Sequence, residues 1–279
     1  MAAKKKRPKS FYRRMKENEK VQKALTVILP VLFGIVVVIM WQTQLLHKLF
    51  DTDTFTLPLL TRIGSILVEN IDKIMENVRA TVTVAFMGLV IGSLAGYLFA
   101  ILAAFFPKSC KGGLSVIGAF ASIPVVALAP VMNNWTKDVS DEASVRSMVA
   151  KIIVVMLIAA ANMGLNAYRG LTELKPYAKD LMATYAAKRR TVLFRLQLPN
   201  SVPYIFVALK VSVPASIMTA IVSEYFAEYI TGVGRQIREN IVLAQYPTAW
   251  AYIVTACMLG IVSYIILMVV QSILLRKYN

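Results

Sequence analysis

The sequence predicts an all-α polytopic membrane protein with six spanning helices, and three observations carry that prediction. The first is clustering: 57% of the 279 residues are hydrophobic, and they gather in blocks near the ~20 residues that a helix needs to cross hydrocarbon. The second is that these blocks do not alternate with period two, as barrel strands do. Backbone groups in lipid must bond within their own segment, so such blocks are helices. The third is the distribution of the net charge of +16. Residues 1–23 hold ten Lys/Arg against two Glu, the 107–113 turn adds Lys108 and Lys111, the 167–199 loop is net +5, and Arg276 and Lys277 lie near the C-terminus. The intervening loops 47–79 and 134–147 are each net −1, and 225–249 balances Arg235 and Arg238 against Glu228 and Glu239. Basic loops stay cytoplasmic, so every second loop, and both termini, are expected on that side.

The basic tail, residues 1–23, precedes the first apolar run, 24–46. A basic start before an apolar run resembles a signal peptide, but this run is too long and no small-x-small cleavage site follows it, so it is read as a retained helix. Segment 51–79 comes next, with Leu60, Ile63, Ile66, Leu67, Ile71 and Ile74 at helical spacing. It fits an amphipathic helix on the outer membrane face or, equally, one packed on the outer ends of a bundle.

The core is expected over residues 80–275. Its first helix, 80–107, carries Gly88, Gly92, Ser93 and Gly96 at the small-xxx-small spacing that lets helices approach closely. Packing within the chain is favoured over a dimer contact. The next run, 112–136, contains Pro124 and Pro130. Two missing backbone donors kink or break a helix, either for structural reasons alone or where backbone lines a pathway. The helix holding the charge-free run 152–168 is expected to begin near Ser147, with Lys151 snorkelling at its outer end. Segment 196–223 is broken only by Lys210, and 241–275 completes the set. Lys210 and Glu224 are fourteen residues apart, about 21 Å along a helix, so they do not pair directly. Lys210 is expected either to attract an anion in a water-filled path or to snorkel. Glu224 is expected near the outer surface, solvated or touching a partner.

The 168–205 connection is longer than a simple turn and carries helical patterning. If 178–188 is helical, Leu181, Tyr185 and Lys188 form one stripe with Met182 beside it. Such a loop is either a disordered basic segment or a docking surface for a cytoplasmic partner. Several chemistries are excluded. No G-x-x-x-x-G-K-[ST] occurs, and Gly232-Val233-Gly234 lacks the later glycine and the lysine. One histidine, His47, and two cysteines, Cys110 and Cys257, leave no triad, metal site or expected disulfide. No basic patch is interleaved with exposed aromatics, so nucleic acid is not an expected partner. The basic residues serve topology and contact with anionic membrane lipid. The chain is read as no enzyme, without cofactor.

One ordered set of motifs resembles a known family. Asp180-Leu181-Met182-Ala183-Thr184-Tyr185-Ala186-Ala187-Lys188, followed by Leu193-Phe194-Arg195-Leu196-Gln197-Leu198-Pro199, resembles the cytoplasmic signature of binding-protein-dependent ABC importer permeases. Pro124-Val-Val-Ala-Leu-Ala-Pro130 before it agrees, as do Pro203, Leu209-Lys210, Ser223-Glu224 and Gly232-Val233-Gly234 after it. The resemblance covers roughly residues 55–275 and is strongest to the nitrate, sulfonate and taurine group, which includes carriers of vitamin precursors. It implies the type I (MetI-like) permease fold and a pathway formed by two copies, a homodimer or a close heterodimer. It also implies ATPase subunits docked on the 169–199 coupling loop and an extracytoplasmic substrate-binding protein. The residues it assigns to ATPase coupling are Asp180, Leu181, Met182, Ala183, Tyr185, Ala186, Lys188, Leu198 and Pro199. Pathway candidates are Pro124, Pro130, Lys210 and Glu224. The family's acid, two alanines and glycine stand here as Asp180, Leu181, Met182 and Ala186. An alanine does not easily take the positive φ that glycine supplies, so the turn at Ala186 is expected to depart from the family's. The rival readings are a secondary transporter, which would need inverted repeats and more intramembrane ionisable groups, and a non-transporting scaffold.

Overall fold

The computed structural model describes residues 19–107, 112, 115, 116, 118, 119, 122–227 and 229–274. The basic tail up to residue 18 and the C-terminal basic residues lie outside them, and so does much of 108–121. Every described element is helical. The chain divides into two compact units, 1–65 and 66–279.

The first unit holds α1 (Glu19–Gln42), α2 (Leu45–Phe50) and most of α3 (Leu60–Glu69). Side chains all round α1, among them Ile28, Leu32, Phe33 and Ile39, are exposed. An apolar helix exposed on every side is stable only against lipid tails. Its end is tied locally: Trp41 Nε1–H donates to Pro58 O at 2.9 Å, and His47 Nε2 lies 2.6 Å from Leu57 O. A carbonyl only accepts, so Nε2 carries the proton and His47 is a buried structural donor.

The second unit begins with a difference from expectation. The 51–79 segment is not one outer helix. Helix α3 stops at Glu69, Asn70 Nδ2–H donates back to Ile66 O at 3.1 Å, and α4 then runs unbroken over Ile71–Phe105. The charge-free pattern hid this because Asp72, Lys73, Glu76 and Arg79 occupy the exposed side of the first turns of α4, while Ile74 and Asn77 are buried. At 35 residues the helix is about 52 Å long, enough to extend beyond the hydrocarbon.

Helix α4 packs along α6 (Ala143–Thr172), and the glycine stripe is the reason. A Cβ at Gly92 would overlap the backbone carbonyl of Met156 and sit 2.9 Å from Ala159 Cβ, and one at Gly96 would overlap the carbonyl of Ala160. The stripe is therefore an intramolecular contact. On its other side α6 meets α9 (Leu198–Tyr225), where a Cβ on Gly170 would lie 2.8 Å from Tyr204 Cβ. The buried face of α9 is built from small residues, Ser201, Ala208, Ser212, Ser216 and Ala220, which lets it approach closely. Two of the apolar clusters join α4, α6 and α9. Ala100, Met163, Leu171, Leu193 and Ala208 form one, and Val84, Val155, Ile217 and Ala220 form the other.

Between α4 and α6 lies α5 (Val125–Trp135), which begins directly after Pro124. Pro124 is thus a helix start and Pro130 lies inside α5; both are exposed. Helix α6 starts at Ala143, a turn before the expected Ser147. After α9 come α10 (Val233–Val242) and α11 (Tyr246–Leu274). The run 241–275 is divided because Ala244 turns with φ 55°. Among the described residues five helical stretches are long and apolar enough to cross a membrane: 24–42, 71–105, 143–172, 189–225 and 246–274. The sixth expected run, 112–136, lies partly outside the described residues, and its longest described helix is α5.

Candidate functional site

Helices α6 and α9 run in opposite directions, and the chain between them forms one end of the bundle. It contains α7 (Ala178–Thr184), α8 (Arg189–Val192) and a π-helical stretch, Leu193–Gln197, that leads into α9. The loop is anchored at both ends by hydrogen bonds to the carbonyls that a helix leaves unpaired at its C-terminus. Gln197 Nε2–H donates to Leu171 O at 2.9 Å in a buried position. Asn200 Nδ2–H donates to Gly170 O at 2.7 Å and Glu173 O at 3.1 Å. Pro199 sits in the first turn of α9, where its missing N–H costs nothing. Leu198 packs against the cluster around Leu171. Gln197 and Asn200 were not singled out from the sequence; amides flanking a Leu-Pro beside a helix end were the available signal.

The expected helix over 178–188 is shorter, and its end explains the family's glycine. Ala187 N–H donates to Met182 O at 3.0 Å and Ala186 N–H to Ala183 O at 2.9 Å. This paired pattern is a Schellman motif, which requires a left-handed residue after the helix. Ala186 is that residue, with φ 49°. Alanine takes the left-handed conformation here, at a cost of ~1–2 kcal/mol. Ala186→Gly is therefore expected to stabilise the turn by ~1 kcal/mol. Slower hydrogen exchange at the Ala186 and Ala187 amides would show it, and faster exchange would refute it.

The early stop also moves Lys188. It is not on the α7 stripe but caps α8, with extended backbone at φ −63° and ψ 150°. The stripe is instead Tyr177, Leu181 and Tyr185, spaced four apart and 82%, 59% and 77% exposed. Met182 is half-buried, and Asp180 and Ala183 are exposed. No residue of α7 is buried. A seven-residue helix is too short to hold itself together in water, so one that displays Leu and Tyr on its free side is shaped for a contact. A cavity of about 320 Å³ lies behind it, lined by Phe105, Pro107, Lys179, Arg189 and Gln197 among others.

The opposite end of the bundle is organised by a residue expected to be solvated. Glu224 is 0% exposed. Its Oε2 accepts from Thr81 Oγ1–H and from Gly234 N–H, both at 2.9 Å. Thr81 Oγ1 in turn accepts from Val233 N–H at 3.0 Å, and Asn77 Oδ1 accepts from Gly232 N–H at 2.9 Å. Three consecutive amides at the start of α10 are thus met by side chains from α4 and α9. Gly232 sits at φ 106°, and a Cβ on Gly234 would overlap the carbonyl of Ile221. Both positions therefore demand glycine. Lys151, expected to snorkel, is only 4% exposed. Lys210 is half-buried on α9, away from this cluster. The candidates thus do not converge: Asp180 to Pro199 gather at one end, Glu224 stands at the other, and Pro124, Pro130 and Lys210 join neither.

This architecture agrees with comparisons to known proteins. Residues 88–279 match the family described as the binding-protein-dependent transport system inner membrane component. The formylaminopyrimidine transport permease protein ThiX of Halalkalibacterium halodurans is 26% identical over 196 residues, 70% of this chain and 75% of that protein. A probable ABC transporter permease protein of Haemophilus influenzae is 23% identical over 201 residues, 72% and 78% of the two chains. Among solved structures, an inward-facing MetNI methionine ABC transporter aligns with a TM-score of 0.51 at 15% identity, over 72% of this chain and 95% of that one; it supports the fold. With the matched region spanning both bundle ends, the chain belongs to the inner membrane component family of binding-protein-dependent transport systems, and is the non-enzymatic, multi-pass permease subunit of an ABC importer that works with a separate ABC ATPase and a substrate-binding protein.

Proposed function

We propose that this permease carries a small nitrogen heterocycle of the formylaminopyrimidine kind and is driven through α7, which docks in a groove of the ATPase. The observation that supports the drive is the Tyr177–Leu181–Tyr185 stripe, exposed on a helix with no buried residue. Closure of the ATPase dimer on ATP would push α7, and the Gln197 and Asn200 anchors would pass that motion to α6 and α9. The substrate reading is supported by the printed role of the relative ThiX. An anionic substrate such as a sulfonate or nitrate, the other option from the sequence, came from the resemblance to the nitrate, sulfonate and taurine group, with Lys210 as the cation that could attract it. A conduit of this size is proposed to need two copies, a homodimer in the simplest case.

The test is ATP-driven uptake by vesicles reconstituted with the permease, its ATPase and its binding protein. Labelled formylaminopyrimidine is expected to accumulate, and taurine and nitrate are not. Accumulation of an anion alone, lost in Lys210→Gln but kept in Lys210→Arg, would overturn the substrate reading. Orientation is a separate expectation: residues 169–199 and both termini face the cytoplasm. Cysteines at Lys175 and Asp141 should be labelled from opposite sides, and labelling of both from one side would refute that topology.

A further inference from the structure

Helix α10 and the start of α11 enclose, with the beginning of α4, a cavity of about 370 Å³. It lies at the end of the bundle away from the coupling loop, and its size is within the range of small-molecule sites. Three side-chain amides line it, and each directs its NH2 group at a backbone carbonyl. Asn70 Nδ2–H donates to Ile66 O at 3.1 Å, Asn240 Nδ2–H to Gln236 O at 2.8 Å and Gln236 Nε2–H to Ile230 O at 3.4 Å. A carbonyl only accepts, so all three amides are fixed the same way round, with Asn70 Oδ1, Asn240 Oδ1 and Gln236 Oε1 left for a ligand. Glu239 adds a carboxyl group to the same wall. Its Oε2 is buried and accepts no hydrogen bond, with its ion-pair partner Arg235 Nε at 3.4 Å. The buried Ile74 and Tyr252 form an apolar wall. Lys73 and Gln245, both exposed, stand at the mouth beside Thr248.

We propose that this cavity holds the substrate during import, and that it is built for a flat, neutral nitrogen heterocycle carrying an amino group. The N–H donors on one edge of the ring meet the amide oxygens of Gln236 and Asn240, and the ring face lies on the apolar wall. A carbonyl on the ligand is met at the mouth by the Thr248 hydroxyl or the Gln245 amide. The acceptor-rich wall offers an anion nothing, whereas a donor-rich ligand satisfies it. A site that pairs a ligand N–H rejects the analogue lacking it, because its own polar groups are then left unpaired. The role in import rests on the reading above that this permease carries such a heterocycle; the donor and acceptor pattern of the cavity does not.

Occupancy can be read as protection of a thiol at the mouth, in the full-length permease held in lipid nanodiscs. Gln245→Cys is the reporter, in a background with Cys110→Ser and Cys257→Ser, and a maleimide is the label. Formylaminopyrimidine and aminopyrimidine are expected to protect it. Pyrimidine, which lacks the amino group, should need about tenfold more, and taurine should not protect. Gln236→Met and Asn240→Ala each remove one ligand-facing oxygen. Each is expected to raise the half-protecting concentration of aminopyrimidine about tenfold and that of pyrimidine by less than about threefold, so that the preference for the amine is lost. Equal protection by the two ring compounds in the parent would overturn the proposal. So would protection by taurine at the same concentration, and so would an unaltered preference in both variants, whether binding is unchanged or weakened for both ligands alike. Uptake by the reconstituted importer separates this site from the transport reading. Accumulation of formylaminopyrimidine without any protection would overturn the cavity alone. Amine-selective protection without accumulation of formylaminopyrimidine would keep the cavity as a heterocycle site and sink the transport reading.

Discussion

Leu181→Glu or Tyr185→Glu is expected to abolish ATP-driven uptake while the protein still inserts and folds. Both side chains are exposed in the isolated chain and support no core contact, so the substitutions cost the permease itself little. In the complex they would carry the contact, because a buried apolar or aromatic anchor typically contributes 2 kcal/mol or more where a rim charge contributes little. A carboxylate pressed into such a groove adds its own desolvation cost. Uptake should fall by more than about thirtyfold, the effect of ~2 kcal/mol at a site that must be occupied. Copurification of the ATPase should weaken in parallel. Asp180→Asn and Lys188→Gln, in the exposed surroundings of the stripe, should change uptake by less than about threefold. Full uptake by both Glu variants in correctly inserted protein would remove the docking role of α7.

Gly92→Leu is expected to have the largest effect on the bundle itself. Its Cβ alone would overlap the Met156 carbonyl, and a backbone atom on a packed helix cannot step aside as a side-chain tip can. The α4–α6 pair must separate, and overpacking of this kind typically costs up to ~3 kcal/mol. Detergent-solubilised protein should lose its folded size-exclusion peak at a temperature clearly below that of the parent. Gly260→Leu provides the comparison, since a Cβ there meets no atom within 4 Å. Equal stability of the two variants would contradict the close approach.

The two predictions differ in how much of their basis was legible in the sequence. Leu181, Met182 and Tyr185 stand in a recognisable order before Leu198-Pro199, so the exposed stripe was visible as a motif. Its extent was not. Periodicity continues through Lys188, and only the backbone at Ala186, turning left-handed where an alanine is costly, ends the helix at Thr184. Tyr177 joins the stripe from the N-cap position, because a seven-residue helix is defined by its ends rather than by its period. The glycine stripe was legible as a close-packing surface, but the partner helix was not, because any small-xxx-small face fits several neighbours.

Apolar run length, loop charge and the ordered motifs by themselves determined a helical membrane protein and its family. Each is a local property, set by the cost of leaving backbone or charge in hydrocarbon. Tertiary structure alone decided where the charges near the spans go. Lys151 and Glu224 are 73 positions apart on different helices, and each by itself reads as a side chain near a membrane surface. Packing of α6 and α9 buries both, and the Gly234 amide at the start of α10 meets Glu224 from a third element. Burial of a charge is affordable only when its compensating groups arrive together, and no local pattern records that meeting.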